Sequence, residues 1–369
     1  MEELVKAIEN VIKKDAESIY YSKSELKDVI DCISKNKKLE IFFNHCHRLG
    51  ATSGICFNQN TKFPNKIIQR AKKTNGTKAI EEIFNYIDSK EVHIKCALLL
   101  YGIHIDNEFN FSNGVRLINA SNMEDSQLVN FLGKETLTLG GIDTAVLIID
   151  YKTPKEFYST LSPVKKTNWA KVEVKENLIK TLDDTRLMLS LGRSSSFGIP
   201  AVGVFEVLPE NLEFLNNGIG YTPFPEPRNS FGPSIIKLEM DKADSLLNKF
   251  DLLSKDEQDG IRVATKRLND SKIDSDWANI SINLRICLEN LFNREGKYPI
   301  SKTISKRAPH YTSFSKDKTK EIYSFLSTAV HTGIPQTHPN IKEEDIVKEV
   351  QNTIIKYIEE GCYPDWSQI

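Results

Sequence analysis

The sequence predicts an α+β protein: a helical N-terminal region over 1–90, a β-rich α+β domain over 91–240, and an all-helical bundle over 241–369. Three observations carry that reading. Apolar residues recur at helical spacing through the first ninety positions. Short runs of Val, Ile, Leu and Phe bounded by Gly, Pro, Asn or Asp then fill the middle. From Asp241 onward, helical stripes and caps replace them.

Taken in order, Leu4, Ile8, Val11, Ile12 and Ile19 share one face of a long first helix. Leu26, Val29, Ile30 and Ile33 predict a second, and Ile80, Ile83, Phe84 and Ile87 another. Residues 50–63 read as a loop. Strands are expected at Val92–Ile105, Gly114–Ala120, Thr144–Lys152, Ala170–Val174, Gly198–Leu208 and Ser234–Met240, interrupted by a helix at Glu176–Leu191. Ser254-Lys-Asp-Glu257 has the pattern of a capping box. Ile273–Asn293 is apolar on more than one face, so it belongs in the middle of a bundle. Lys316–His331 forms the next helix. Asn340-Ile-Lys-Glu343 is expected to cap the last, which ends at Gly361.

The chain has 369 residues, with 49 Lys and Arg against 50 Asp and Glu, for a net charge of −1. That balance excludes a global basic field for a long nucleic acid and leaves room only for a local patch. No apolar run approaches the roughly 20 residues of a membrane span. The acidic, amphipathic start lacks the layout of a signal peptide, so a cytoplasmic location is expected. The six cysteines are scattered, form no C-x-x-C pair, and are expected to be reduced thiols.

The helical tail carries the strongest functional lead. Arg262-Val-Ala-Thr-Lys-Arg-Leu-Asn269, the stretch Asp276 to Phe292 with its Leu-Glu-Asn-Leu-Phe ending, and Glu321-Ile-Tyr-Ser-Phe-Leu-Ser-Thr-Ala-Val-His-Thr-Gly333 occur in that order. Together they resemble the HEPN superfamily, in particular the Apea-like HEPN domains of prokaryotic defence proteins. The likeness covers about a third of the chain. It implies an anti-phage, abortive-infection type of protein and a homodimer that cuts RNA without a metal or other cofactor. It also implies an Arg and a His on one helix, and a trigger that the sequence does not name. His331 aligns with the family His and Ser327 with the Ser that follows the Arg, but the Arg position is Leu326. No Arg or Lys stands between Glu321 and Gly333.

Tyr323, Ser327 and His331, with Lys320, recur at three- and four-residue spacing and share a polar face. A pocket of His331, Ser327, Tyr323 and Arg285 is therefore one expectation. In it His331 moves protons, Ser327 and Tyr323 orient the phosphate or the His, and Arg285 takes the absent Arg's place. The other expectation is a non-catalytic binding or dimerisation module, in which His331 closes a helix and Arg285 pairs with Glu289 four residues on.

A third reading lies in the middle domain. Asp143, then Glu173-Val-Lys175 on a strand, then a helix and a strand, resembles PD-(D/E)xK nucleases, which implies Mg²⁺ held by the two carboxylates and water activated by Lys175. His45-Cys-His47-Arg48 with Cys56 supplies too few ligands for a closed zinc site and reads as a polar turn. Leu191-Gly-Arg-Ser-Ser-Ser-Phe-Gly198 is a Gly/Ser loop whose Arg193 and serines suit either a phosphate or a helix-to-strand turn.

Overall fold

The computed structural model describes residues 1–39, 41–49, 53–56, 61–120, 144–154, 156–159, 170–193, 197–207, 210–215, 220–223, 234–332 and 340–366. The fold is mixed α+β. At the N-terminus, α1 (Glu2–Lys14), α2 (Lys27–Ser34), α4 (Lys62–Lys73) and α5 (Gly76–Asp88) pack around Ile8, Leu26, Val29, Ile33, Ile67, Ile80 and Ile83. The first helix is shorter than its stripe predicts. Asp15 ends it by accepting bonds at Oδ1 from the amides of Glu17 and Ser18, so Ile19 lies 85% exposed instead of in the core. Between α2 and α4 the chain makes a short helix, α3 (Ile41–Asn44), and a hairpin of β1 (His45–Leu49) and β2 (Ser53–Cys56). The expected polar turn at His45–Arg48 is thus a strand, with Cys46 opposite Cys56 and the far edge paired to β7 (Glu156–Ser159).

The principal sheet is antiparallel. Its strands are β3 (Glu91–Tyr101), β4 (Phe109–Asn110), β5 (Arg116–Asn119), β6 (Thr144–Pro154), β8 (Ala201–Val207) and β9 (Gly220–Pro223), in the order β4-β5-β6-β3-β8-β9. β3 and β6 pair along all eleven residues, from Glu91 opposite Pro154 to Tyr101 opposite Thr144. Alternate residues of β3 point to one face. Val92 and Ile94 there join the N-terminal core, while Cys96, Leu98 and Leu100 join the core of the C-terminal helices.

Two expected strands are helical. Ala170–Val174 is the opening of a single helix, α6 (Ala170–Gly192). The Lys-Val-Glu-Val-Lys alternation mimics a half-buried strand, but no Gly or Pro separates it from the helical run that follows, and Lys and Glu are good helix formers. At Ser234–Met240 only Ile235 makes a bridge, to Ile105. The helix α7 (Lys237–Asp251) starts two residues later and buries Met240, Ala243, Leu246, Leu247 and Phe250 at helical spacing. That long apolar stripe outweighs the short β-like start.

The bundle continues with α8 (Lys255–Ile273), α9 (Trp277–Phe292), α10 (Ile300–Arg307), α11 (Lys316–Thr332) and α12 (Glu343–Glu360). The Ser254–Glu257 capping box forms as predicted, with Ser254 Oγ accepting from the Glu257 amide at 3.3 Å. Gly361 closes α12 at φ 76°. The start of α12 differs from expectation: its N-cap is Lys342, with no side-chain bond, in place of a cap from Asn340. The boundary expected near 240 does not divide two cores. One continuous apolar cluster runs from Leu98, Leu117 and Leu147 of the sheet through Leu182 and Leu189 of α6 to Leu284, Leu326 and Ile354 of the bundle.

The Gly/Ser stretch owes its glycines to close packing. A Cβ on Gly192 would lie 2.6 Å from the Glu239 carbonyl oxygen of α7, and one on Gly198 would lie 2.8 Å from the Asn269 carbonyl of α8. Buried Asn269 then holds the exit of the loop, accepting from the Ile199 amide at 2.8 Å and donating to its carbonyl at 3.2 Å. Gly192→Ala is expected to cost about 2 kcal/mol, because backbone on both sides must separate. Urea denaturation of the variant checks this.

Candidate functional site

The residues singled out from the HEPN resemblance lie on α9 and α11. Asp276 caps α9 by accepting from the Ala278 amide at 2.9 Å. Ser315 Oγ accepts from the Lys318 amide at 3.2 Å and opens α11. The apolar residues Ile322, Phe325, Leu326 and Ala329 turn α11 inward, leaving Tyr323, Ser327 and His331 on successive turns of a neighbouring face.

Three side chains meet at the start of that face. Glu289 Oε1 accepts from Tyr323 Oη at 2.6 Å and from Arg285 Nε at 2.8 Å, while the guanidinium carbon stands 5.4 Å from the Tyr323 ring centroid. Burial works against the Arg285 charge, but Glu289 and Tyr323 outweigh it and keep the guanidinium protonated above its ordinary range. Burial, reinforced by the Glu289 carboxylate, pushes the Tyr323 hydroxyl up to about 12. Tyr323 is therefore a neutral donor, and Arg285 and Glu289 cancel each other's charge.

The other two expected members stand apart from this triangle. Ser327 is one turn further on, with a buried Oγ that finds no hydrogen-bond partner among the described residues. His331, another turn on, is exposed; the helical rise places it about 12 Å along the axis from Tyr323. Lys320 is exposed as well. The structure thus joins Tyr323 to Arg285 but does not bring Arg285 to His331. Leu326, which the HEPN resemblance sets against an Arg, is fully buried in the core.

For the middle-domain reading, Glu173 and Lys175 fall in the first turns of α6 and not on a strand. Asp143 lies outside the described residues. No group of three potential metal ligands occurs among the described residues. No described helix is long and apolar enough to cross a membrane. Arg193 of the Gly/Ser loop is buried, and burial holds its guanidinium below its ordinary range against the opposing pull of Glu239.

Sequence reasoning missed two charged sites. Arg262 of α8 grips Asp184 of α6 through Nε–Oδ1 at 2.6 Å and Nη2–Oδ2 at 2.9 Å, joining the helix over the sheet to the bundle. Nothing in the sequence links positions 78 residues apart. Lys272 reads as an ordinary cation in a last helical turn, yet it is 91% buried. Its Nζ donates to Gln351 Oε1 of α12 at 2.7 Å and lies 3.5 Å from the Ser190 carbonyl of α6. Gln351 Nε2 donates to the Leu191 and Arg193 carbonyls at 2.9 and 2.8 Å, so side chains of two bundle helices satisfy the end of α6.

No family model, curated protein or solved structure matches the chain.

Proposed function

We propose that the C-terminal helices form a HEPN-like module that binds or dimerises without cutting RNA, within a prokaryotic anti-phage defence protein. The observation that carries this is the Arg285–Glu289–Tyr323 triangle. A guanidinium that replaced the absent Arg would have to bind phosphate and stabilise its growing charge. Here it is already bonded to a carboxylate and lies over the ring of Tyr323, which stands about two turns before His331 on α11. The burial of Leu326 agrees, because that position points into packed apolar side chains.

One observation favours the cutting version. His331 is exposed at a helix end, where a bound nucleotide would be able to touch it. The test is incubation of the purified protein with a pool of tRNA and mRNA, in EDTA and in Mg²⁺, for wild type and His331→Ala. No cleavage under either condition, together with a dimer in sedimentation, is the expected result. Cleavage that survives EDTA and disappears with His331→Ala would overturn the proposal. Cleavage only with Mg²⁺, untouched by that substitution, would move the site to Asp143, Glu173 and Lys175.

A further inference from the structure

The hairpin of β1 and β2 sets two cysteines directly across from each other. Cys46 is the register partner of Cys56, and His47–Ile55, Arg48–Gly54 and Leu49–Ser53 follow towards the turn. Opposed residues of an antiparallel pair share one face of the sheet, with Cα atoms about 4.5 or 5.5 Å apart. A disulfide spans Cα atoms roughly 4.4–6.8 Å apart, so either kind of opposed position suits one without moving the backbone. The far side of β1 supports the same register, with Cys46 opposite Tyr158 and Arg48 opposite Glu156 of β7. Sliding β1 would therefore break two ladders at once.

The cysteines outside this hairpin are placed differently. Cys96 and Cys287 are buried in the large apolar cluster, Cys32 is half-buried on α2, and Cys362 is exposed just after α12. Burial pushes the Cys287 thiol up, and burial with the Glu3 carboxylate does the same to Cys32, so both are poor sources of the reactive thiolate.

We propose that Cys46 and Cys56 form a reversible disulfide across the hairpin, a redox-sensitive staple whose oxidant is a small disulfide such as glutathione disulfide. The thiolate of one cysteine attacks a sulfur of the oxidant and releases one glutathione thiolate. The thiolate of the other attacks the protein sulfur of that mixed disulfide and releases the second. Two protein thiols and one glutathione disulfide give one protein disulfide and two glutathione thiols. The cysteines lose two electrons and two protons, which the glutathione sulfurs take up. What the bond holds is β2, an edge strand paired only to β1 among the described residues. Ladders this short are weak on their own, and a covalent ring over residues 46–56 suppresses the openings in which β2 leaves β1.

The test uses the full chain, treated with excess glutathione disulfide, alkylated with N-ethylmaleimide and digested with trypsin without reduction. Cleavage after Lys38, Arg48 and Lys62 places Cys46 and Cys56 in separate peptides, 39–48 and 49–62. The expected product is those two peptides joined, lighter by two hydrogens, from monomeric chain and separated again by dithiothreitol, while exposed Cys362 carries glutathione. Cys46→Ser should leave Cys56 as a glutathione adduct, with an unchanged circular dichroism melt in the reduced state. In the oxidised wild type, the amides of Ser53–Cys56 should exchange with deuterium at least about tenfold more slowly than in the reduced protein. Recovery of Cys46 and Cys56 as separate adducts while Cys362 reacts would overturn the proposal, as would joined peptides found only in a disulfide-linked dimer. A disulfide that leaves exchange in Ser53–Cys56 unchanged would overturn the stapling role.

Discussion

Leu326→Arg, which would place an Arg where the HEPN resemblance implies one, is expected to unfold the bundle and not to create a nuclease. Leu326 has no exposed surface and packs within the same cluster as Ile322, Leu284 and Ile354. A guanidinium there would be buried without a designed partner, and the lost apolar contacts add to that cost. The combined loss is at least about 4 kcal/mol, in the range reached only by severe core lesions. A fall in Tm of roughly 10 °C, or recovery only as insoluble protein, is the outcome to look for. Leu326→Met keeps volume and polarity and should cost under about 1.5 kcal/mol. A soluble Leu326→Arg with wild-type Tm would show that the helix can rotate this position outward.

Arg262→Ala should be nearly as damaging. Arg262 is held by Asp184, touches Asp259 and lies over the Phe250 ring at 5.4 Å. Burial pushes the Asp184 carboxyl above its usual range even with the guanidinium in place. The short bidentate geometry nevertheless identifies the pair as ionic. Removing the cation leaves a carboxylate 89% buried and unbalanced, at a cost of about 3–5 kcal/mol. Pairing Arg262→Ala with Asp184→Leu should recover much of that loss, because the second change removes the stranded charge. A double-mutant cycle in urea measures this. Additive losses would mean that the two side chains contribute through packing and not through each other.

Much of the architecture was legible. The capping box at Ser254, the broad apolar coverage of α9 and the glycine closing α12 each have a local cause, and each appears where the residues put it. The failures also have physical causes. Lys171–Lys175 satisfies a two-residue period and a helix alike, and its neighbours decide. Ile19 fits the stripe of α1, but Asp15 ends the helix before the stripe is complete. Arg285 and Glu289 were legible as a pair from their spacing, whereas the Tyr323 bond that completes the triangle spans 34 residues. Lys272 carried no signal at all, because its burial is decided by α6 and α12 and not by its own helix.

The core that passes unbroken from the sheet into the bundle bears on how such a protein can be cut and recombined. A fragment made of residues 241–369 would carry away more than half of a shared interior and expose the faces of α7 and α8 against which α6 packs. The family-like third is therefore not a portable cassette. Transplanted alone it should aggregate, and a recombination event that exchanged it would have to bring α6 and the central strands along.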